Sequence, residues 1–179
     1  MGQYYKPTSI NKMESLNSHD YDSMLKLMEH SYIGNHFIHV AEFLLSPVGD
    51  WYKNQFVWAG DYADDESCGK NLFTLAKEIQ LNDYPKDSSG RYIVNHTKRE
   101  YVDKIKAPKD QEGWTVHPLP LLTCEGNGRG NGDYREVNAC IGVWARDEIS
   151  IEKDILFKFK EEESKEKEFE ELVPNFIMD

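Results

Sequence analysis

The chain has 179 residues, a length that suits one domain with a substantial core. Its hydrophobic content of 39%, which includes 10 Tyr, 8 Phe and 4 Trp, predicts a folded protein and excludes a disordered one. The net charge of −11 disfavours direct binding to nucleic acid, because an acidic surface repels phosphate backbones.

Membrane and secretory signals are missing from the sequence. No apolar run approaches the 18 residues of a membrane span, and the first residues lack the basic and apolar regions of a signal peptide. Cys68, Cys124 and Cys140 form no C-x-x-C pair, and their odd number argues against a disulfide framework. Reduced, mostly buried thiols are therefore expected, in a cytoplasmic protein without membrane contact.

The first half of the chain alternates between short strand and helix signals. Pro7 predicts that the first strand lies at a sheet edge or ends there. Ser18 or Asp20 can cap a short helix, and Asn71 can cap another. Apolar residues at helical spacing precede Pro47 and predict an amphipathic helix. The predicted strands lie at 2–10, 12–18 and 55–60, and the predicted helices lie at 23–31, 35–45 and from 71 onward.

In the second half, residues 91–102 carry two apolar runs around a four-residue turn, which predicts a hairpin. Residues 114–122 contain two prolines and are predicted to be extended. Residues 138–151 alternate as a central or half-buried strand pair, and Trp58 and Trp144 are expected to fill the core from strand ends. An edge strand at 155–160 and a charged helix at 161–173 would end the chain.

These elements predict one α+β domain over residues 1–160. Its sheet would be mainly antiparallel with two or three packed helices, and an acidic C-terminal helix or tail would follow at 161–179. The last 29 residues carry 5 basic and 10 acidic side chains, so the tail is a candidate contact surface.

The stretch GNGRGNGDY, residues 126–134, is the most unusual loop. It lacks the Gly-Lys-Ser/Thr of a P-loop, and no helix pattern follows it as the dinucleotide fingerprint requires. Its backbone N–H groups could form a nest for a phosphate or carboxylate, or its glycines could supply positive φ in a wide hairpin connection. The conformational interpretation is favoured, and both stay open. The candidate binding residues here are Gly126, Gly128, Arg129, Gly130, Asp133 and Tyr134.

A second candidate site is the acidic loop at residues 61–66, with Asp61, Asp64 and Asp65 as its candidate residues. It lacks the regular spacing and terminal Glu of a calcium loop, so a solvated loop is expected. Alternatively, the loop could pair with Arg129 or Arg146 across the fold, and Arg146 is a candidate binding residue too.

No pattern identifies catalytic residues, a metal site or a cofactor. His36, His39 and Glu42 share a helical stripe that could hold zinc, but no H-E-x-x-H pattern exists and unliganded side chains are expected. His117 precedes Pro118 in a stiff segment that does not suit a mobile base. No nucleophile elbow is present, so the sequence disfavours an enzyme.

Long stretches of the chain resemble one group of proteins. MGQYYKP, SHDYDSMLKLMEHSYIGN, FVWAGDYADDE, YIVNHTKREYVDK, HPLPLLTCEGNGRGNGDY and IGVWARDEIS look like a family of small uncharacterised proteins of bacteriophages, prophages and mobile elements of Firmicutes. The resemblance runs from residue 1 to about 152.

The resemblance implies a setting more than a chemistry. Small acidic proteins of mobile elements are similar in these respects to inhibitors of host defence, anti-CRISPR proteins included. The expected function is thus binding and inhibition of a basic host protein, such as a CRISPR effector nuclease, in the host cytoplasm. The alternative is a binding protein or enzyme for a nucleotide-like small molecule that uses the glycine loop at 126–134.

Overall fold

The computed structural model describes residues 3–86, 89–110, 112–126 and 140–154. The predictions for the glycine loop from residue 127 to 134, for the strand at 155–160 and for the acidic helix at 161–173 lie outside the described residues, as does the domain boundary near residue 160. The strands are β1 (Tyr5–Ser9), β2 (Glu14–Leu16), β3 (Asn54–Gly60), β4 (Lys77–Ile79), β5 (Tyr92–Asn95), β6 (Glu100–Asp103), β7 (Cys124–Glu125) and β8 (Glu148–Glu152). The helices are α1 (Leu27–His30), α2 (His36–Leu45), α3 (Leu72–Leu75) and α4 (Pro118–Thr123).

The strands form one sheet in the order β4-β2-β1-β3-β8-β5-β6, and β7 also pairs with β3. Pairing is parallel in β2–β4 and β3–β7 and antiparallel in the other ladders of the described residues. The prediction of a single α+β domain with a mainly antiparallel sheet is confirmed. The hairpin predicted over 91–102 is confirmed as β5 and β6, with Asn95 opposite Glu100.

The core lies between the sheet and α2. Asn35 caps α2, because its side chain accepts hydrogen bonds from the N–H groups of Phe37 and Ile38. Trp51, Trp58 and Trp144 are completely buried. Each indole N–H finds an acceptor at 2.9–3.0 Å, which removes the cost of burying it; the acceptors are Glu14, His30 and Glu100, respectively.

The prediction of an extended segment over 114–122 is wrong in its second half, where α4 begins at Pro118. The first N–H groups of a helix have no partner within it, so proline loses nothing there. The His117 side chain accepts the Leu119 N–H at 3.2 Å and caps the helix. Proline therefore starts a helix here.

Other boundaries also differ. β1 lies between β2 and β3, so the predicted sheet edge is wrong. Tyr5 donates its N–H away from β3, to Leu25, and Pro7 is two residues further along the strand. The Pro7 nitrogen therefore also points away from β3. It lies just beyond the last residue of β1 that pairs with β2, so no N–H donor is needed there.

Of the strand pair predicted over 138–151, only β8 forms among the described residues, and 140–147 form turns.

Two helix predictions prove too long. The helix predicted over 23–31 shrinks to the single turn α1, whose N-cap is Lys26, so neither Ser18 nor Asp20 caps it. Asn17 caps a separate 3-10 turn over Ser18–Tyr21. α3 is capped by Asn71 as predicted, but it ends at Leu75.

Candidate functional site

The two loops singled out in the sequence leave the sheet side by side. β3 and β7 are parallel and pair Ala59 with Glu125, so the acidic loop and the glycine loop begin at one edge of the sheet. Gly60 and Gly126 allow this approach. A Cβ on Gly60 would lie 2.8 Å from the Glu125 carbonyl oxygen, and one on Gly126 would lie 2.3 Å from Gln3 Oε1. The neighbour at Gly60 is backbone, so packing requires the glycine there, whereas the nearest atoms at Gly126 are the ends of the Gln3 and Tyr5 side chains.

Arg146 ties the two loops together. Its Nε and Nη2 donate to the two Glu125 oxygens at 2.7 and 2.6 Å. Nη1 and Nη2 donate to Glu66 at 3.3 and 2.5 Å. Both carboxylates raise the pKa of the guanidinium, Glu125 more than Glu66. The predicted alternative, a pair between the acidic loop and Arg146, is thus present in the structure, and the cluster keeps one net negative charge.

The acidic loop has a defined backbone path. The Tyr4 N–H donates to Asp61 Oδ1 at 3.0 Å, and the Asn71 side chain donates to the carbonyls of Asp61 and Ala63. The Glu66 N–H donates to the Lys70 carbonyl at 2.9 Å. These bonds hold the loop so that Tyr62, Asp64 and Asp65 are exposed.

The structure describes only some of the predicted site residues. Gly128, Arg129, Gly130, Asp133 and Tyr134 lie outside the described residues. Among the others, Asp61 follows the end of β3 and Gly126 follows the end of β7. Arg146 joins Glu125 of β7 to Glu66 of the acidic loop, on which Asp64 and Asp65 are exposed. Because Arg146 already binds two carboxylates, it is not available as a free cation for a phosphate ligand.

A buried ionic network lies elsewhere, between α2, the start of α4 and the 3-10 turn after β6. His117 Nε2 donates to Glu42 Oε1 at 2.9 Å, and Lys104 donates to the same oxygen. Burial lowers the pKa of His117 against the pull of Glu42, so the imidazole is neutral. Burial also opposes ionisation of Glu42, but His117 and Lys104 together hold its pKa below the usual value. The network is enclosed, which makes it a structural element.

The histidines of the supposed zinc stripe have separate partners. His36 contacts the Tyr84 hydroxyl, and His39 lies 3.4 Å from the Pro85 carbonyl oxygen. Glu42 points into the core. His30 is buried, accepts the Trp58 indole N–H and donates to the Met24 carbonyl, and burial lowers its pKa to about 4. No group of three potential metal ligands occurs within the described residues.

A cleft that the sequence analysis missed lies between the α1–α2 connection and the hairpin 108–116. It has a volume of about 500 Å³ and is lined by Glu29, Tyr32, Ile33, Gly34, Asn35, Glu112 and Trp114. Trp114 is 60% exposed, whereas the other three tryptophans are fully buried. The signal in the sequence was a tryptophan directly after the polar turn 110–113, where a core residue is not expected.

Comparisons of the chain with protein-family models, with curated proteins and with solved structures found no match. Within the described residues, no helix is long and apolar enough to cross a membrane.

Proposed function

We propose that this protein is an accessory protein of a bacteriophage or mobile element. It binds and inhibits a basic host defence protein, with a CRISPR effector nuclease as the expected target, in the host cytoplasm. The contact surface is the acidic loop at 61–66 beside the base of the glycine loop. The resemblance of the sequence to phage and mobile-element proteins supplies the setting, and the geometry of the acidic loop supplies the surface.

The observation that carries this proposal is a fixed acidic loop. Arg146 is held by two carboxylates, one on the loop and one on β7, so the loop is fastened to the sheet while Asp64 and Asp65 are exposed. Tyr62 on the same loop is 51% exposed, and exposed tyrosines are common in protein interfaces. A preorganised acidic surface loses little entropy on binding, and its charge accelerates association with a basic groove.

The test is inhibition of target-DNA cleavage by purified CRISPR effector complexes in the presence of the wild-type protein. Inhibition is expected, and it should weaken as salt rises because exposed charges are screened. Asp64→Asn/Asp65→Asn should weaken inhibition about 3- to 30-fold, the size expected for rim charges worth about 0.3–1 kcal/mol each.

The matched control is Asp50→Asn/Glu148→Gln, which removes the same charge from exposed positions before and beside the start of β3, at the end of that strand opposite the acidic loop. This control should inhibit like wild type. Equal losses in both double variants would show that only total charge matters. Absence of both binding and inhibition across the tested effectors would refute the proposed function.

A further inference from the structure

We propose that the cleft between Tyr32 and Trp114 binds an arginine side chain from a basic segment of a partner protein. This inference rests on the proposed function in one respect, namely that the partner is basic. It adds a second contact site and the chemistry that this site recognises.

The aromatic wall of the cleft is preorganised. The Tyr32 and Trp114 rings meet edge to face, with centroids 6.2 Å apart. Ile33 donates its N–H to the Thr115 carbonyl, and Tyr32 bridges Val116, so the two cleft walls are joined as a short antiparallel ladder. The Trp114 ring therefore stands on backbone that is hydrogen-bonded from both sides.

Asp110 fixes the turn that carries Trp114. One Asp110 oxygen accepts the N–H groups of Glu112 and Trp114, at 3.0 and 2.8 Å. Burial and the neighbouring Asp110 carboxylate raise the pKa of the Tyr32 phenol, so the ring is neutral at physiological pH. The large exposed indole is thus held in place without being needed for the core.

Charge selects the class of occupant. Glu29 and Glu112 line the cleft, and the Asp110 carboxylate accepts a hydrogen bond from the Tyr32 hydroxyl. Lys109 lies opposite Thr115 in the same hairpin, and the Lys26 ammonium is 3.8 Å from Glu29 in an exposed and therefore weak pair. No cation of the described residues lies over the Trp114 ring.

A tryptophan face next to carboxylates suits a cation and repels a phosphate. A guanidinium fits better than an ammonium, because it stacks on an aromatic ring and forms paired hydrogen bonds to a carboxylate. The cleft volume of about 500 Å³ leaves room for the whole side chain and part of its backbone.

Tyr4, the residue before β1, connects the acidic loop to the segment that leads into α1. Tyr4 donates to Asp61 on one side and bridges Lys26, the neighbour of α1, on the other. A basic partner segment that contacts the acidic loop can therefore continue past Tyr4 toward the cleft.

Tryptophan fluorescence provides a direct test, since Trp114 is the one exposed tryptophan of the four. The probe is an oligoarginine peptide, compared with an oligolysine peptide of equal length. We expect the arginine peptide to change the Trp114 emission and to protect it from acrylamide. Relative to their effect on free tryptophan, caesium should quench this emission more and iodide less, because the surroundings are acidic.

Three variants separate the cleft from general charge attraction. Trp114→Ala should weaken arginine-peptide binding, followed by calorimetry, by about two- to fivefold, the size of one exposed cation–π contact. Glu29→Gln/Glu112→Gln should weaken it by at least as much. Asp50→Asn/Glu148→Gln, with the same loss of charge elsewhere, should bind like wild type.

Equal binding of the lysine peptide, or equal losses in both double variants, would overturn the inference. The two proposals fail separately. If the Trp114→Ala protein still inhibits the nuclease and the wild-type protein binds no arginine peptide, the inference about the cleft is refuted and the proposed function stands. If the protein binds the arginine peptide but inhibits no effector, the proposed function is refuted and the inference about the cleft stands.

Discussion

At the scale of single residues, the buried network of Glu42, Lys104 and His117 shows what a sequence pattern conceals. Glu42 shares a helical stripe with His36 and His39, and from the sequence this stripe could hold zinc. In the structure Glu42 is 3% exposed, because α2 packs so closely that this side chain is covered by the turn after β6 and by α4. A carboxylate is tolerated there because Lys104 and His117 both reach it.

The network leads to a stability prediction. Lys104→Met should lower the free energy of unfolding by about 3–5 kcal/mol, because it leaves Glu42 buried without its cationic partner. Urea denaturation followed by the emission of the buried tryptophans measures this change. The exposed replacement Lys70→Met is the control and should stay within about 0.5 kcal/mol of wild type.

A double variant tests whether the unpaired charge of Glu42 causes this loss of stability. Glu42→Leu/Lys104→Met removes both charges and should recover part of the loss, since no unpaired ion remains. A Lys104→Met protein as stable as wild type would show that the Lys104 ammonium does not offset the cost of burying the Glu42 carboxylate.

At the scale of elements, strong hydrophobic periodicity predicted a helix correctly, whereas a segment rich in proline was predicted wrongly. The apolar spacing over 35–45 predicted α2 with its observed end before Pro47. The prolines of α4 were misread as breakers, because the sequence does not show that His117 caps the first turn. The pairing of β3 with β7 joins positions 66 residues apart and has no local signature.

This pairing predicts the effect of a small substitution. Gly60→Ala should destabilise the protein by about 1–3 kcal/mol, because the added Cβ would lie 2.8 Å from the Glu125 carbonyl oxygen and 3.0 Å from the Tyr5 ring. Thermal unfolding measures the loss. Ser67→Ala, an exposed change in the adjoining loop, should have little effect. A Gly60→Ala protein as stable as wild type would mean that β3 and β7 are further apart than described.

At the scale of the whole molecule, histidine burial links stability to pH. Burial lowers the pKa of His30 to about 4, and burial together with Lys53 lowers that of His96 to about 4. The pKa of His117 is lowered as well. In the unfolded chain these imidazoles take up protons near pH 6.5, whereas His30 and His96 of the folded protein resist protonation until about pH 4.

The unfolded state therefore binds more protons between pH 6.5 and 4, and stability must fall as pH falls through this window. His30 alone should contribute a loss of about 2–3 kcal/mol by pH 4. Urea unfolding at pH 7, 6, 5 and 4.5 measures the slope, and the part between pH 7 and 5 is the least affected by carboxylates, which titrate near pH 4. His19→Asn, at an exposed position, should leave the slope unchanged. A flat stability profile from pH 7 to 4.5 would contradict the neutral burial of these histidines.

The sequence by itself determined the α+β class, helix α2, the hairpin of β5 and β6 and the acidic character, because these depend on periodicity, local turns and composition. The pairing of the acidic loop with Arg146 was foreseen only as one of two options. Only the tertiary structure decided that the acidic and glycine loops start side by side, that Glu42 lies inside, and that Trp114 lines an acidic cleft. These features depend on contacts between residues far apart in the chain, and such contacts leave no pattern in a single sequence.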